Sequence, residues 1–287
     1  MQSKPKLYGG LDIVWISKKD IIKLSDDIRK IIDGQKIDLR DNREGVFGIL
    51  KNDIHTLANL KFEQFDVLQH ERDMMKDTLA NISHQIRTPL TSMMIMTDLL
   101  DGAPPDKQAE FISNIRAGLF RLEWLSSALL KMAKLDSGAV EFTGEPVSSG
   151  ILASLALEPL QVLLDIKNQN VEFFGEADLF CDKRWTSEAL SNVIKNASEH
   201  SPDGSKIRIE SGSNPICIWI SVKDSGEGIP DNKIASLFKR FEGSRSDKGY
   251  GIGLPLALAI MRRQNGDIEV EGGGNGVGAT FVLKFYR

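Results

Sequence analysis

Asn81-Ile82-Ser83-His84-Gln85-Ile86-Arg87-Thr88-Pro89-Leu90 decides how this chain is read. Apolar residues around it, Leu79, Ile82, Ile86, Met93, Met96 and Leu100, fall at helical spacings and predict one continuous seam. His84 lies midway between Ile82 and Ile86, so it points away from that seam toward solvent. Thr88 and Thr91 share its face. Pro89 has no N–H for the carbonyl of Gln85, which predicts a deformed helix beside the histidine. An exposed imidazole on a deformable helix suits a nucleophile that a large partner must reach.

Outward from this stretch, a helical hairpin is expected. It runs from about Lys51 to Leu100, turns at Asp101-Gly102-Ala103-Pro104-Pro105, and returns from about Asp106 to Leu135. The return helix has its own seam at Ile112, Ile115, Leu119, Leu122 and Leu129. Phe111, Phe120, Trp124, Leu125 and Met132 flank it, more apolar surface than one hairpin covers. Pairing of two hairpins into a four-helix bundle would bury it, making the chain a homodimer. The alternative is packing of the hairpin on another part of the same chain.

Four further elements follow in order. Asn192 and Asn196 stand one turn apart in a helical run, and Lys195 lies between them. Their amide oxygens are hard, neutral ligands for a Mg²⁺ already held by phosphates and water. Asp224-Ser225-Gly226-Glu227-Gly228-Ile229 follows a strand-like stretch, Ile216 to Val222. The Asp224 carboxylate can accept from an amino group such as that of adenine, and Gly226 and Gly228 allow a tight turn and close backbone approach. Leu237-Phe238-Lys239-Arg240-Phe241 comes next, with Arg240 able to bridge phosphate oxygens. Gly249-Tyr250-Gly251-Ile252-Gly253-Leu254 opens an apolar helix whose free N–H groups favour phosphate. Each element alone is weak, and their order is what carries the reading. No Gly-x-x-x-x-Gly-Lys-Ser/Thr run is present, which excludes an ordinary P-loop.

These residues resemble the bacterial sensor histidine kinases of two-component systems. The stretch around His84 is similar to that family's H box, Asn192 to Asn196 to its N box, Asp224 to Ile229 to its G1 box, Leu237 to Phe241 to its F box and Gly249 to Leu254 to its G2 box. Gly276 to Phe281 resembles the closing strand whose threonine, here Thr280, lies near adenine. The resemblance begins near Glu71 and runs to the end. It implies a dimeric, helical phosphoacceptor domain followed by an α/β sandwich ATP-binding domain of the gyrase, Hsp90 and MutL superfamily. It further implies transfer of the γ-phosphoryl group of MgATP to His84, then to an aspartate in the receiver domain of a response regulator. Asn196 would hold Mg²⁺ with Asn192 beside it, and Asp224 would select adenine. Arg240, Arg245 and Lys248 would offset phosphate charge, and Thr88 would orient the water that dephosphorylates the partner.

Two departures from the family stand out. An acidic residue usually follows the histidine, and here it is Gln85, whose carbonyl can orient the ring but cannot take its proton. The lid, Glu242 to Lys248, is shorter than usual. A competing reading is therefore a nucleotide-binding phosphatase or scaffold with weak kinase activity.

Val171 to Phe174, Ile207 to Glu210, Ile216 to Val222, Ile268 to Glu271 and Ala279 to Lys284 are strand-like and alternate with helical runs, which predicts a mixed α/β layer structure. Before the hairpin, Ser17 to Ile32 reads as an amphipathic helix stopped by Asp33-Gly34. With the connector to Asn42 it is similar to a HAMP signal-relay unit, the alternative being a generic amphipathic helix. The expected division is thus 1–50 for the relay segment, 51–136 for the hairpin and 137–287 for the ATP-binding domain. His55, His70 and His200 read as structural. His200 also falls where the family often has an aromatic near the nucleotide.

The 287 residues carry 36 basic and 40 acidic side chains, a net charge of −4 that argues against nucleic acid as a main partner. Cys181 and Cys217 have no metal or redox spacing. No stretch is expected to approach the roughly 20 apolar residues that span a bilayer, and there is no signal peptide. The chain reads as cytoplasmic, or as the cytoplasmic part of an inner-membrane receptor whose membrane segment lies outside it.

Overall fold

The computed structural model describes residues 17–40, 46–241, 251–272 and 278–287. It divides into two units, Met1–Asp77 and Thr78–Arg287.

In the first unit, α1 (Lys18–Ile32) starts with a capping box in which Ser17 and Asp20 each accept from the other's backbone N–H at 3.2 Å. The stripe Leu24, Ile28 and Ile31 is covered, but Ile21, Ile22 and Ile32 of the expected apolar run are exposed. Gly34 (φ +87°) ends the helix as expected. The connector then lies along α2 (Val46–Leu100): Leu39 is buried and donates its N–H to His55 Nδ1 at 3.5 Å, and Lys36 pairs with Asp66.

The second unit begins within α2. That helix continues through Pro89 to Leu100, so the missing hydrogen bond does not end it. Asp101-Gly102 turns the chain into α3 (Pro105–Asp136), which the preceding proline and Pro105 pre-set for a helical start. Gly118 of α3 is buried against Met93 of α2, where a side chain would meet the sulfur.

The flanking apolar residues of α3 divide two ways. Leu125, Ala128, Met132 and Leu135 are buried in the core of the following α/β layer structure, the alternative to bundle packing. Phe120, Leu119 and Leu130 remain exposed, as do Leu79, Ile86, Leu90, Met94 and Leu99 of α2.

The α/β part contains a two-stranded ladder, β1 (Glu145–Ser148) with β3 (Asp178–Cys181), and a five-stranded mixed sheet. Its strands are β2 (Asn170–Phe174), β4 (Lys206–Ser213), β5 (Cys217–Lys223), β6 (Gly266–Gly272) and β7 (Ala279–Tyr286), in the order β2-β4-β5-β7-β6. Only β2 and β4 run parallel. Alternate residues of β4 and β7 face inward, including Ile207, Ile209, Phe281 and Leu283. They meet Leu190, Val193 and Ile194 of α6 (Lys183–His200) and Leu256 and Ile260 of α8 (Gly253–Arg262), giving one helical layer on one sheet face. A further short helix, α7 (Asp231–Ile234), precedes the Leu237–Phe241 stretch.

One stretch comes closer to membrane-spanning composition than the sequence reading expected. Ser149–Ile166 has a mean hydropathy of 1.4 over 18 residues. Glu158-Pro159 splits it into α4 (Ser149–Leu157), one 3₁₀ turn and α5 (Gln161–Ile166), and Leu152, Ala156, Leu160 and Leu164 are buried in the α/β core.

Candidate phosphoacceptor and nucleotide site

His84 is exposed on α2, and Thr88 Oγ1 donates to the His84 carbonyl at 3.1 Å. The hydroxyl thus stands one turn above the histidine. Gln85 is half-buried. Ile82 lines a cleft of about 280 Å³ together with Thr78, Leu129, Met132, Arg240, Phe241 and Ile252. His84, two residues further on, is turned roughly 200° around the helix axis from Ile82. The candidate nucleophile therefore faces away from this cleft.

The nucleotide elements converge along α6. Asn192 is buried, its Nδ2 donates to Glu188 O at 2.9 Å, and its Oδ1 lies 3.1 Å from where a Cβ on Gly253 would stand. This brings the first asparagine to the N-terminus of α8. That terminus has no side-chain cap, and the Gly253 and Leu254 N–H groups have no partner among the described residues. They are the donors a helix start offers an anion.

One turn on, the Asn196 amide makes no hydrogen bond among the described residues. Among those residues no group of three His, Cys, Asp or Glu could hold a metal by itself. A cation here would take most of its shell from phosphate and water, which suits Mg²⁺ arriving with a nucleotide and two neutral amide oxygens.

At the far end of α6, Ser201 Oγ accepts the Ser225 N–H at 3.0 Å. This fastens the Asp224–Ile229 loop to the helix. Asp224 is buried, and its Oδ1 accepts from Gly226 N at 2.8 Å and Ala279 N at 3.0 Å. Its other oxygen has no protein hydrogen bond among the described residues. Thr280 follows Ala279 on β7, opposite Lys223 and Glu271. Gly226 is needed for close approach, although to protein: a Cβ there would stand 2.6 Å from the His200 carbonyl oxygen. Gly228 adopts φ +82°, and the Ile229 carbonyl packs on Gly272.

Arg240, expected at phosphate, and Lys195, expected in the nucleotide site, both have protein partners. Arg240 grips Asp136 at the end of α3 with both ends of its fork, at 2.7 and 2.8 Å. Lys195 lies 4.2 Å from the centre of the Trp124 ring and 3.8 Å from Glu199. Burial raises the Glu199 carboxyl above its usual range, against the pull of Lys195 and Lys167. Phe241 is buried with φ +63°, and its N–H donates to Gly251 O at 2.8 Å. Gly251 itself has φ +64°. The expected Lys248 and Gly249, with Arg245, lie outside the described residues.

Sequence reasoning missed a polar cluster behind the site. Gln169 is buried between α5 and β2. Its Nε2 stands 3.1, 3.3 and 3.0 Å from the carbonyls of Ser198, Ser201 and Pro202, and its Oε1 accepts from Ser198 Oγ at 2.6 Å. Lys167 Nζ donates to the Ser198 and Ser201 carbonyls at 2.5 and 3.2 Å. No motif marks these residues. Their role follows from burial alone.

Residues 74–138 match the family model of the His Kinase A (phospho-acceptor) domain. Residues 181–287 match that of the histidine kinase-, DNA gyrase B-, and HSP90-like ATPase. The two together take in more than half of the chain. Among curated proteins, the sensor histidine kinase WalK of Bacillus subtilis is 29% identical over 83% of this chain and 42% of its own length. The heme sensor protein HssS of Staphylococcus saprophyticus is 27% identical over 87% and 55%. The chain thus spans about half the length of such relatives. In fold it is similar to the histidine kinase ThkA, solved in complex with the response regulator protein TrrA, with a TM-score of 0.62, 20% identity, and coverage of 79% of this chain and 66% of that one. The Acinetobacter baumannii histidine kinase AdeS gives 0.56 and 21%, over 71% and 97%.

Proposed function

Since the chain belongs to the sensor histidine kinases of two-component systems, we propose that it phosphorylates its own His84 from MgATP and passes the phosphoryl group to an aspartate of a response regulator. For this reading we divide it into a relay segment (1–50), a dimerising phosphoacceptor hairpin (51–136) and a catalytic domain (137–287).

The observation that carries the reading is the arrangement along α6. Asn192 at one point meets the uncapped start of α8, and Ser201 beyond its end holds the Asp224 loop. From Asn192 to His200 the helix rises roughly 12 Å, a span over which a triphosphate and its base can lie side by side. The free oxygen of Asp224 would accept the adenine amino group, with Ile229 and Thr280 close to the ring. The N–H groups of Gly253 and Leu254 would receive phosphate, Gly249 and Gly251 would allow its close approach, and Lys195, Arg240 and Lys248 would balance its charge. Asn196, with Asn192, would hold Mg²⁺, which draws charge from the phosphate oxygens as the bond to the leaving group breaks.

His84 then attacks through its unprotonated ring nitrogen. An N–P bond forms, the bond from the γ-phosphorus to the bridging oxygen breaks, ADP leaves, and the other ring nitrogen gives its proton to solvent. An aspartate carboxylate of the regulator next displaces the imidazole from phosphorus. The solved complex of ThkA with a response regulator supports a receiver domain as that partner. Because His84 faces away from the Arg240 cleft, either the catalytic domain moves or the partner protomer's nucleotide is used. The exposed Leu79, Ile86, Leu90, Leu119 and Phe120 support a dimer that would cover them. Thr88, one turn from His84, would orient water when the regulator is dephosphorylated.

Incubation with γ-labelled ATP and Mg²⁺ should give acid-labile, base-stable label on the protein. His84→Ala should abolish it with ATP binding retained, because the histidine stands on α2 and the described nucleotide elements on α6, α8 and the Asp224 loop. Label that persists in this variant would refute the assignment. A wild-type protein that binds ATP, stays unlabelled and still dephosphorylates a regulator would favour the phosphatase reading that Gln85 suggests.

A further inference from the structure

We propose that Gln169 is a positioning residue for base recognition: it sets where the Asp224 carboxylate stands relative to α6, and Lys167 assists. The proposal rests on the reading of Asp224 as the adenine acceptor.

The connection can be followed atom by atom. The turn between α5 and β2 docks on the turn after α6 through two backbone bonds, Gly204 N–H to Lys167 O at 2.8 Å and Asn170 N–H to Ser205 O at 3.0 Å. Gln169 projects into this junction and gathers the three carbonyls of Ser198, Ser201 and Pro202 under one amide nitrogen. Only the nitrogen end can face three carbonyls, and the oxygen end is fixed by the Ser198 hydroxyl, so the amide has one orientation. Ser198 lies two residues beyond Asn196 on the same helix. Ser201, whose carbonyl is held on one side, receives the Ser225 N–H through its hydroxyl on the other. Asp224 and Gly226 flank Ser225, and Gly226 is pressed against the His200 carbonyl. The buried amide therefore fixes the end of α6, and that end fixes the loop that carries the carboxylate.

The chemistry makes the arrangement sensitive. Carbonyls at a helix C-terminus have no intrahelical partners, and a buried polar group that loses its partner is costly. Without Gln169 the Ser198 and Ser201 carbonyls keep only Lys167, the Pro202 carbonyl keeps only Ser205, and the Ser198 hydroxyl loses its acceptor, so the turn is held less tightly and Ser225 with it. The helix start at Gly253 meets α6 at Asn192, between one and two turns before Ser198, and none of its described contacts is with the junction itself. Base contacts should weaken while phosphate contacts persist.

The test compares ATP and GTP binding to the full chain with Mg²⁺ for wild type, Gln169→Leu, Lys167→Met and Asp224→Asn. GTP carries an oxo group where ATP carries the amino group, so the ratio of the two affinities reports the Asp224 contact. Gln169→Leu should weaken ATP by roughly three- to tenfold, the weight of one or two hydrogen bonds. GTP should change less than twofold, and labelling of His84 at saturating ATP should be retained. Lys167→Met, at a more exposed position, should narrow the ratio in the same direction and by less. A folded Gln169→Leu with the wild-type ratio, or one that loses both nucleotides equally, overturns the proposal. If Gln169→Leu does not fold, Lys167→Met decides alone by the same ratio. Unchanged ATP affinity in Asp224→Asn would instead remove the adenine reading on which the proposal stands.

Discussion

Arg240 closes on Asp136 with two parallel hydrogen bonds of 2.7 and 2.8 Å, joining the stretch that precedes the lid to the last residue of α3. Both side chains are between two- and three-fifths buried, so the pair is partly screened. If Arg240 also serves phosphate, Asp136 is its competitor when no nucleotide is bound. Exposed pairs are worth about 0.2–1 kcal/mol, or a factor of about 1.5 to 5 in an equilibrium. Asp136→Asn should tighten MgATP binding within that range, and the gain should shrink as salt is raised. Unchanged or weaker affinity at low salt would mean that the pair and the nucleotide do not compete.

Gln85 removes the acidic neighbour usual beside the phosphoacceptor. A carboxylate acting as general base contributes roughly 10²- to 10⁴-fold in rate. Gln85→Glu should speed labelling of His84 in single-turnover experiments at saturating MgATP and leave ATP affinity unchanged. A variant no faster than wild type would show that removal of the ring proton does not limit the step.

Two glycines of the nucleotide site should respond differently to alanine. At Gly226 the methyl would meet the His200 carbonyl at 2.6 Å, and both are backbone positions with little room to yield. Gly226→Ala should cost about 1–3 kcal/mol in stability and weaken ATP binding as the Asp224 loop shifts. At Gly251 the difficulty is φ +64°, a strain of about 1–2 kcal/mol for an L-residue. Thermal melting with and without MgATP checks both. Unshifted melting in Gly226→Ala would dispose of the close contact.

Glu199 gives stability a pH dependence. Burial raises its carboxyl above the ordinary value of 4.5, so between that value and the raised one the folded state holds a proton that the unfolded chain has released. Stability from this group therefore falls as pH rises through that window. Glu199→Gln should melt higher than wild type at pH 7, and the difference should vanish well below pH 4.5. A variant less stable at pH 7 would show that the ion pair with Lys195 outweighs burial.

The sheet strands β2, β4, β5, β6 and β7 were legible because each alternates or is richly β-branched. β1 and β3 were not. They are four residues long, contain Pro146 and Asp178, and pair with each other at the margin of the fold. Asn192, Asp224 and Gly253 stood out as a set because the motifs that hold them follow one another in a fixed order, and α6 joins their surroundings. The partners of Arg240 and Lys195 were not, because a cation's local sequence says nothing about which of two anions or rings it meets. Leu125 and Met132 illustrate the same limit for apolar groups. Periodicity shows that a face must be covered, and the α/β core rather than a second hairpin covers these two. Gln169 left no trace in the sequence at all, since a buried amide and a solvated one are spelled the same way.

The hydrogen bond from Phe241 N–H to Gly251 O at 2.8 Å has a consequence for how this family can vary. It joins the two ends of the 242–250 segment, so the fold on either side is already closed before the segment's own residues are considered. Each doubling of such a segment adds only about 0.6 kcal/mol of closure entropy. Its length is therefore nearly neutral for folding. A short version such as this one gains or loses little stability by its length.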